Sequence, residues 1–304
     1  MAGSILVTGR TGQLAAALAD TAPAHSLTLQ CLERPVLDIE RPASIAQVFS
    51  THAPSLVINA AAYTNVDAAE DDSAAAYRAN RDGPATLARL CAAACIPLIH
   101  ISTDYVFDGR KGAPYLESDV TAPQGVYGAS KLAGECAVVT LCPRAVVLRT
   151  AWLYSPTGKN FVRTMLAAGE RNGNLRVVAD QIGCPTSAQD LATVILGIAG
   201  QLRDGWNDRC AGIYHAAGAG AATWHELANA TFAAAMRHGR RAPNVEPITT
   251  QEWPTRAVRP PDSRLDCSRL AAVFGLHLPA WQDSVRRTVD TILGEGDRPV
   301  RAKQ

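Results

Sequence analysis

No apolar run in the chain approaches about 18 residues, the shortest stretch that crosses a bilayer as a helix. The chain begins directly with a strand-like segment, without a basic region followed by an apolar one, so no secretory leader is expected. Clustered positive charge is also missing: 29 Lys and Arg stand against 28 Asp and Glu, a net charge of +1. Nucleic acid and anionic membrane are disfavoured as main partners, because both need grouped Lys and Arg. Repeats and low-complexity segments are absent. The eight cysteines, at 31, 91, 95, 136, 142, 184, 210 and 267, show no Cys-x-x-Cys spacing, and several lie in apolar segments such as Ala88–Cys95. They read as small buried hydrophobes in a reducing compartment, not as disulfides or metal ligands. Together these absences describe a soluble, cytoplasmic protein.

What the chain has is a globular composition, 47% hydrophobic and 19% charged. Its 304 residues suffice for one large domain or two interlocked ones. Ser4–Thr8 reads as a short buried strand, followed by Gly9-Arg10-Thr11-Gly12-Gln13-Leu14-Ala15 and a helical run over Leu14–Ala19. Strand, glycine turn and helix in that order make a phosphate site, since free N–H groups at a helix start favour an anion. The pattern is G-x-x-G-x-x-A, shorter than the full dinucleotide fingerprint. A second strand, His25–Leu32, ends in Glu33-Arg34, where a carboxylate favours NAD and an arginine NADP. With both present, and Arg10 in the first turn, the reading leans to NADPH with NADH accepted.

A helix over Ala43–Thr51 precedes the run 56–60, whose unbroken apolar pattern fits a strand buried on both faces. It delivers Ala60-Ala61-Ala62-Tyr63 to the carboxyl edge of the sheet, where small residues let a flat ligand approach the backbone. Ser73–Ala94 is Ala-rich and helical, with a break expected at Gly83-Pro84. A fourth strand, Pro97–Ser102, presents Thr103 and Asp104, and Val146–Arg149 is a fifth. Strands alternating with helices predict a Rossmann-like, doubly wound parallel α/β sheet over residues 1–150. A smaller C-terminal α/β substrate-binding domain is expected over 151–304. Its segments near 176–215, including a strand at Arg176–Val178, a helix at Ala188–Ala199 and a strand at Ile213–His215, are expected to return to the main sheet. Further on lie a helix over Phe161–Arg171, a capping box at Thr223–Glu226 opening a helix to Arg237, and a frayed tail over Gly294–Gln304. The stretch Trp253–Arg264, with three prolines and three arginines, reads as a lid or binding loop.

Tyr127-Gly-Ala-Ser-Lys131 opens the helix to Leu141 and puts a phenol and an ammonium on one helical face. A phenol titrates near pH 10, and bringing it to about 7 takes about 4 kcal/mol. An ammonium about 4 Å away, in an effective dielectric of about 20, supplies energy of that order. The spacing therefore suits a general acid whose proton is loosened by its neighbour.

Four motifs stand in order: Gly9-x-x-Gly12, Asn59-Ala-Ala-Ala-Tyr63-Thr-x-Val-Asp67, Ser102-Thr103-Asp104-Tyr105-Val-Phe107 and Tyr127-x-x-x-Lys131. Together they resemble the extended short-chain dehydrogenase/reductase family, and within it the dTDP-4-dehydrorhamnose reductases. Arg149-Thr-Ala-Trp152 and Arg259-Pro260 add to that resemblance, which spans about Ser4 to Val289. It implies Tyr127 as proton donor, Lys131 as its modulator and a ligand of the nicotinamide ribose, and Thr103 as a hydrogen-bond donor to the C4 carbonyl of a dTDP-4-keto sugar. Gly9, Arg10, Gly12, Gln13, Leu14, Arg34, Asp38, Ile39, Ala61, Ala62 and Tyr63 would line the NADPH or NADH. Asp67, Thr103, Asp104, Tyr127, Trp152 and Arg259 would face the dTDP-sugar.

Some members of that family carry an acidic cluster binding magnesium at a dimer interface. Here Gln189 falls near one expected acidic position and only Asp290 remains, which points to no metal and a monomer or weak homodimer. Two other activities share the scaffold. A nucleotide-sugar epimerase would keep its cofactor, and a dehydratase would carry an acidic pair after the threonine, where this chain has Asp104-Tyr105. A non-catalytic NADP-binding regulatory subunit, like that of methionine adenosyltransferase, is the third.

Overall fold

The computed structural model describes residues 4–294. The first half alternates as predicted: β1 (Ile5–Thr8), α1 (Gln13–Thr21), β2 (Leu29–Leu32), α2 (Pro42–His52) and β3 (Leu56–Asn59). The short helices α3 (Val66–Ala69) and α4 (Ser73–Tyr77) and the longer α5 (Gly83–Ala93) lead to β4 (Leu98–Thr103), then α6 (Val126–Leu141) and β5 (Ala145–Thr150). The five strands and a sixth, Gly212–His215, make one parallel sheet. Its order runs from Gly212–His215 through β5, β4, β3 and β1 to β2.

The unbroken apolar runs follow from burial on both faces. Ile5 and Val7 of β1 face one core with α1, while Leu6 faces a second with Ile45 and Val48 of α2. Leu56 and Ile58 likewise take one side and Val57 the other, as the two-residue side-chain period of a strand requires. The chain order reverses between β1 and β3, so a crevice opens at their carboxyl ends.

Past Thr150, helix α7 (Phe161–Arg171), the long α8 (Ala188–Asp204), α9 (Trp224–Met236), α10 (Ser268–Phe274) and α11 (Trp281–Gly294) follow. Helix α8 packs into the core with α1, and Gly212–His215 pairs with β5. The strand expected at 176–178 is longer, Asn174–Val178, and pairs with Asn244–Ile248 instead of the main sheet. Its first three residues are largely open, a pattern suited to a half-covered sheet.

Three other details differ from expectation. The chain does not break at Gly83-Pro84: Arg78–Asp82 widens into a π turn and the helix continues, which accommodates the proline's missing N–H. Residues 25–28 are not strand; a 3₁₀ turn over Ala22–His25 precedes β2. Not every cysteine is buried: Cys95 and Cys136 are exposed, Cys95 on the turn that ends the α5 segment and Cys136 on the outer face of α6. The tail over 295–304 lies outside the described residues. Among the described residues no helix is long and apolar enough to cross a membrane.

Candidate active site

The glycine turn leaves the start of α1 open. Gly9 has φ +93°, a left-handed conformation that favours glycine. Gly12 is the N-cap, with no side chain satisfying the first N–H groups, and a methyl group there would meet nothing within 4 Å. Free donors facing open space are what a pyrophosphate needs. Gln13 reaches the other way, its carbonyl accepting from Asn160 Nδ2 at 2.9 Å.

At the outer end of the crevice, Glu33 Oε2 accepts from both the Thr11 N–H (3.1 Å) and the Thr11 hydroxyl (2.8 Å). Arg34 turns to Glu40 at 2.9 Å and Asp38 at 3.4 Å. A cavity of about 310 Å³ there is lined by Gly9, Glu33, Arg34, Ile39 and Tyr63 among others. It shares Gly9, Glu33, Ala61 and Ala62 with a cleft of about 580 Å³ that runs inward past Gly12 to Tyr127 and Lys131. The small side chains at Ala60–Ala62 line its middle. The shape and donors fit a dinucleotide.

A buried polar chain fixes that middle section. The Thr8 hydroxyl donates to Asn59 Oδ1 at 2.6 Å and accepts from the Ala61 N–H at 3.1 Å, and Asn59 Nδ2 lies 2.9 Å from His100 Nδ1. Burial first, then the Lys131 charge, pull His100 well below its usual range, so it is neutral and its Nδ1 accepts. Asn80, on the π turn, grips Tyr63 through both N–H and C=O and donates to Ser130 on α6. Sequence reading missed Asn80; its one signal is a lone amide in an Ala-rich helix just before Gly-Pro.

Thr103, Asp104, Tyr105, Tyr127 and Lys131 all line the inner end of the cleft, at the carboxyl end of β4 and the first turns of α6. Burial pushes the Tyr127 phenol up to about 12, opposed by a hydrogen bond with the Thr103 hydroxyl. Lys131 is not a cause of that shift, which differs from the expected Tyr–Lys pairing. Its Nζ donates to the Ile101 carbonyl at 2.6 Å, a partner offered by β4. Burial lowers Lys131 to about 8, with Glu135 one helical turn on opposing the change. Asp104, also fully enclosed, is raised to about 6 by burial, against a hydrogen bond from the Thr103 hydroxyl at 3.1 Å.

Beyond Tyr105 the cleft meets a third cavity, about 930 Å³, lined by Asp67, Phe161, Gln181, Trp224, Trp253 and Arg259 among others. Arg259 Nη2 binds Asp67 Oδ2 at 2.6 Å, and Asp67 also accepts the Ala257 N–H, so the loop over Trp253–Arg264 is latched across the mouth. Arg259 Nη1 is buried without a partner, a donor left over beside the Tyr105 ring. Trp152 follows β5 with φ +46° and lines the inner cleft. Of the sequence-predicted cofactor and substrate residues, all but Asp38 line these three adjoining cavities; Asp38 lies beside them, paired with Arg34.

The positions tied to a metal are engaged otherwise. Gln189 accepts from the Ser187 hydroxyl and Asp290 binds His238. Among the described residues no group of three or more His, Cys, Asp or Glu is placed to hold a metal ion.

Residues 3–293 match the family model described as the RmlD substrate binding domain. A dTDP-4-dehydrorhamnose reductase of Sinorhizobium fredii is 43% identical over 293 residues, covering 96% of this chain and 98% of that protein. Among solved structures, a dTDP-4-dehydrorhamnose reductase from Clostridium acetobutylicum is 35% identical with a TM-score of 0.88, covering 95% of this chain and 99% of that one. One from Bacillus anthracis, in complex with NADP, is 34% identical with a TM-score of 0.87 over the same shares. The coverage is end to end, and the chain belongs to the dTDP-4-dehydrorhamnose reductase family of extended short-chain dehydrogenases/reductases.

Proposed function

We propose that the chain reduces the C4 carbonyl of dTDP-4-dehydro-L-rhamnose to give dTDP-L-rhamnose, with NADPH or NADH as reductant. The observation that carries this reading is the gathering of Thr103, Tyr127 and Lys131 at the inner end of a dinucleotide-shaped cleft that opens into a second, larger cavity. When bound, the nicotinamide supplies a hydride to the carbonyl carbon.

The residues do the rest. Gly9, Arg10, Gly12, Gln13 and Leu14 hold the pyrophosphate side, Arg34, Asp38 and Ile39 the adenosine side, and Ala61, Ala62, Tyr63 and Lys131 the nicotinamide side. Thr103 donates to the C4 oxygen as negative charge grows there, the stage at which a fixed donor counts most. Tyr127 gives that oxygen its proton. A phenol near 12 stays fully protonated at neutral pH yet is a stronger acid than the aliphatic alcohol being formed, so the transfer is downhill. Lys131, whose ammonium is turned to the Ile101 carbonyl, holds the nicotinamide ribose. Asp104, Trp152, Asp67 and Arg259 orient the sugar and its diphosphate.

At the adenosine end, Glu33 suits a ribose bearing free hydroxyls, and Arg34 is already engaged by Asp38 and Glu40. We therefore assign use of both cofactors, with Glu33 opposing the 2′-phosphate. Gln189 and the Asp290–His238 pair favour a metal-free monomer or weak dimer.

Single-turnover mixing of the protein with NADPH and dTDP-4-dehydro-L-rhamnose tests the reading. Stoichiometric loss of absorbance at the reduced-nicotinamide band is expected. An epimerase or a non-catalytic binding subunit would leave that band unchanged.

A further inference from the structure

The Trp152 and Trp224 indoles stack with centroids 3.6 Å apart and planes 5° from parallel. Trp152 belongs to the reaction cleft and Trp224, the first residue of α9, to the larger cavity, so the pair forms the wall between them. Trp224 is itself held: its Nε1 donates to Gln181 Oε1 at 3.1 Å, and Gln181 Nε2 donates to the Thr250 hydroxyl at 3.0 Å. Thr250 in turn donates through N–H and hydroxyl to Asp180. The capping box at Thr223 and Glu226 fixes the backbone beneath that ring.

Trp152 needs such support. Its φ of +46° is costly for a bulky side chain, and of its own backbone only the carbonyl is anchored nearby, by the Thr186 N–H at 3.2 Å. Gly183 confines the same ring: a methyl group there would sit 2.4 Å from Trp152 Cε2 and 2.6 Å from its Nε1. Gly183 has no left-handed φ to explain it, so the close approach of the indole is its reason for being glycine.

From this we infer that Trp224 is a positioning residue for the sugar: anchored by Gln181, it holds the Trp152 indole at the angle that walls the hexose against Thr103 and Tyr127. The inference rests on the reading that Trp152 touches the sugar. It also gives the segment Asp180-Gln181-Ile-Gly183 a purpose, since three of its residues serve the indole pair directly or through Thr250.

The experiment compares Trp224→Ala, Trp224→Phe, Gly183→Ala and Trp152→Ala by isothermal titration with dTDP, dTDP-L-rhamnose and NADPH, alongside steady-state kinetics. Trp224→Ala is expected to raise KM and the dTDP-L-rhamnose Kd about fivefold to tenfold, the scale of one aromatic stack. Its affinities for dTDP alone and for NADPH stay unchanged, and Trp224→Phe restores most of the loss. Gly183→Ala, which displaces Trp152 without touching Trp224, gives the same pattern and carries the test if Trp224→Ala does not fold. Equal weakening of dTDP and dTDP-L-rhamnose by Trp224→Ala would mean that Trp224 contacts the nucleotide itself, and would overturn the proposal. So would wild-type KM in both Trp224→Ala and Gly183→Ala. Wild-type sugar binding by Trp152→Ala would instead remove the reading beneath it.

Discussion

The Tyr127 ring packs edge-on against Tyr105, centroids 5.5 Å apart, at the end of the cleft that the Thr103 hydroxyl also lines, and Thr103, not the Lys131 ammonium, offsets the effect of burial on the phenol. Thr103 and Tyr127 come from different elements, the end of β4 and the first turn of α6, and share that end of the cleft because Gly128 lets that turn close on the Tyr105 carbonyl. A methyl group on Gly128 would stand 2.2 Å from that oxygen.

Tyr127→Phe removes the proton donor and leaves the ring packed edge-on against Tyr105. Turnover is expected to fall about 100-fold or more, the usual worth of a placed general acid, with NADPH affinity within about twofold of wild type. Stopped-flow kinetics and fluorescence titration measure the two quantities separately. Undiminished turnover would remove Tyr127 from the mechanism.

Lys131 titrates near 8 in this enclosed setting, so its charge is present below that pH and disappears above it. His100 beside it is neutral, and Asp104, at the same end of the cleft, is raised only to about 6. NADPH affinity should therefore fall several-fold between about pH 7 and pH 9 in the native protein, and stay flat in Lys131→Met. Fluorescence titration across that range decides the matter, and a parallel decline in both proteins would place the titrating group elsewhere.

The carboxylate of Glu33 occupies the Thr11 N–H and hydroxyl, donors that an incoming 2′-phosphate would otherwise find free. Glu33→Gln keeps the shape and removes the charge. The Kd ratio of NADPH to NADH should shift about tenfold toward NADPH, about 1.4 kcal/mol, the order of one like-charge contact near a protein surface. An unchanged ratio would show that the adenosine end is read by other groups, with Arg10 the next to examine.

Asp104 is raised to about 6 by burial, so between about pH 4 and 6 the folded protein holds a proton that the unfolded chain has released. Stability contributed by this group therefore falls as pH rises through that window. The shift of about two units corresponds to roughly 3 kcal/mol. Asp104→Asn cannot ionise, so its stability relative to the native protein should improve from pH 4 to pH 6, measured by urea unfolding at each pH. A constant difference would mean that Asp104 is not protonated in the fold at pH 4.

Much of this could be read from sequence because a parallel sheet buried on both faces writes its strands as apolar runs, as at Leu6 and Val57, and ends them in glycine, alanine or threonine at the ligand edge. The helix-start signals at Thr223 and Glu226 were as plain. What stayed hidden had no local signature. Strands of two residues, such as Leu153–Tyr154 and Ile182–Gly183, are too short for a period to show. The Lys131 partner is a backbone carbonyl thirty residues away, which any sequence would supply. The Arg259–Asp67 latch joins positions 192 residues apart. At Gly83-Pro84 the general rule of helix breaking gave way to a π turn, because Asn80 there ties Tyr63 to Ser130.

Behind the catalytic face, Arg149 and Glu135 form a bidentate pair, Nε to Oε1 at 2.9 Å and Nη2 to Oε2 at 2.7 Å, with side chains only 2% and 1% exposed. The Arg149 guanidinium also lies 5.0 Å over the Phe107 ring. Such a pair adds little net stability over an apolar replacement, but breaking it strands a charge in the interior. Glu135→Gln should therefore cost about 3–5 kcal/mol in urea unfolding, while the double change Glu135→Leu with Arg149→Met recovers most of that. Because Glu135 also favours the charged form of Lys131, the double variant should lose NADPH affinity at a lower pH than the native protein does, even where its stability is restored. A single variant less than about 1 kcal/mol weaker than the native protein would mean that water reaches Arg149, against its enclosed position between β5 and α6.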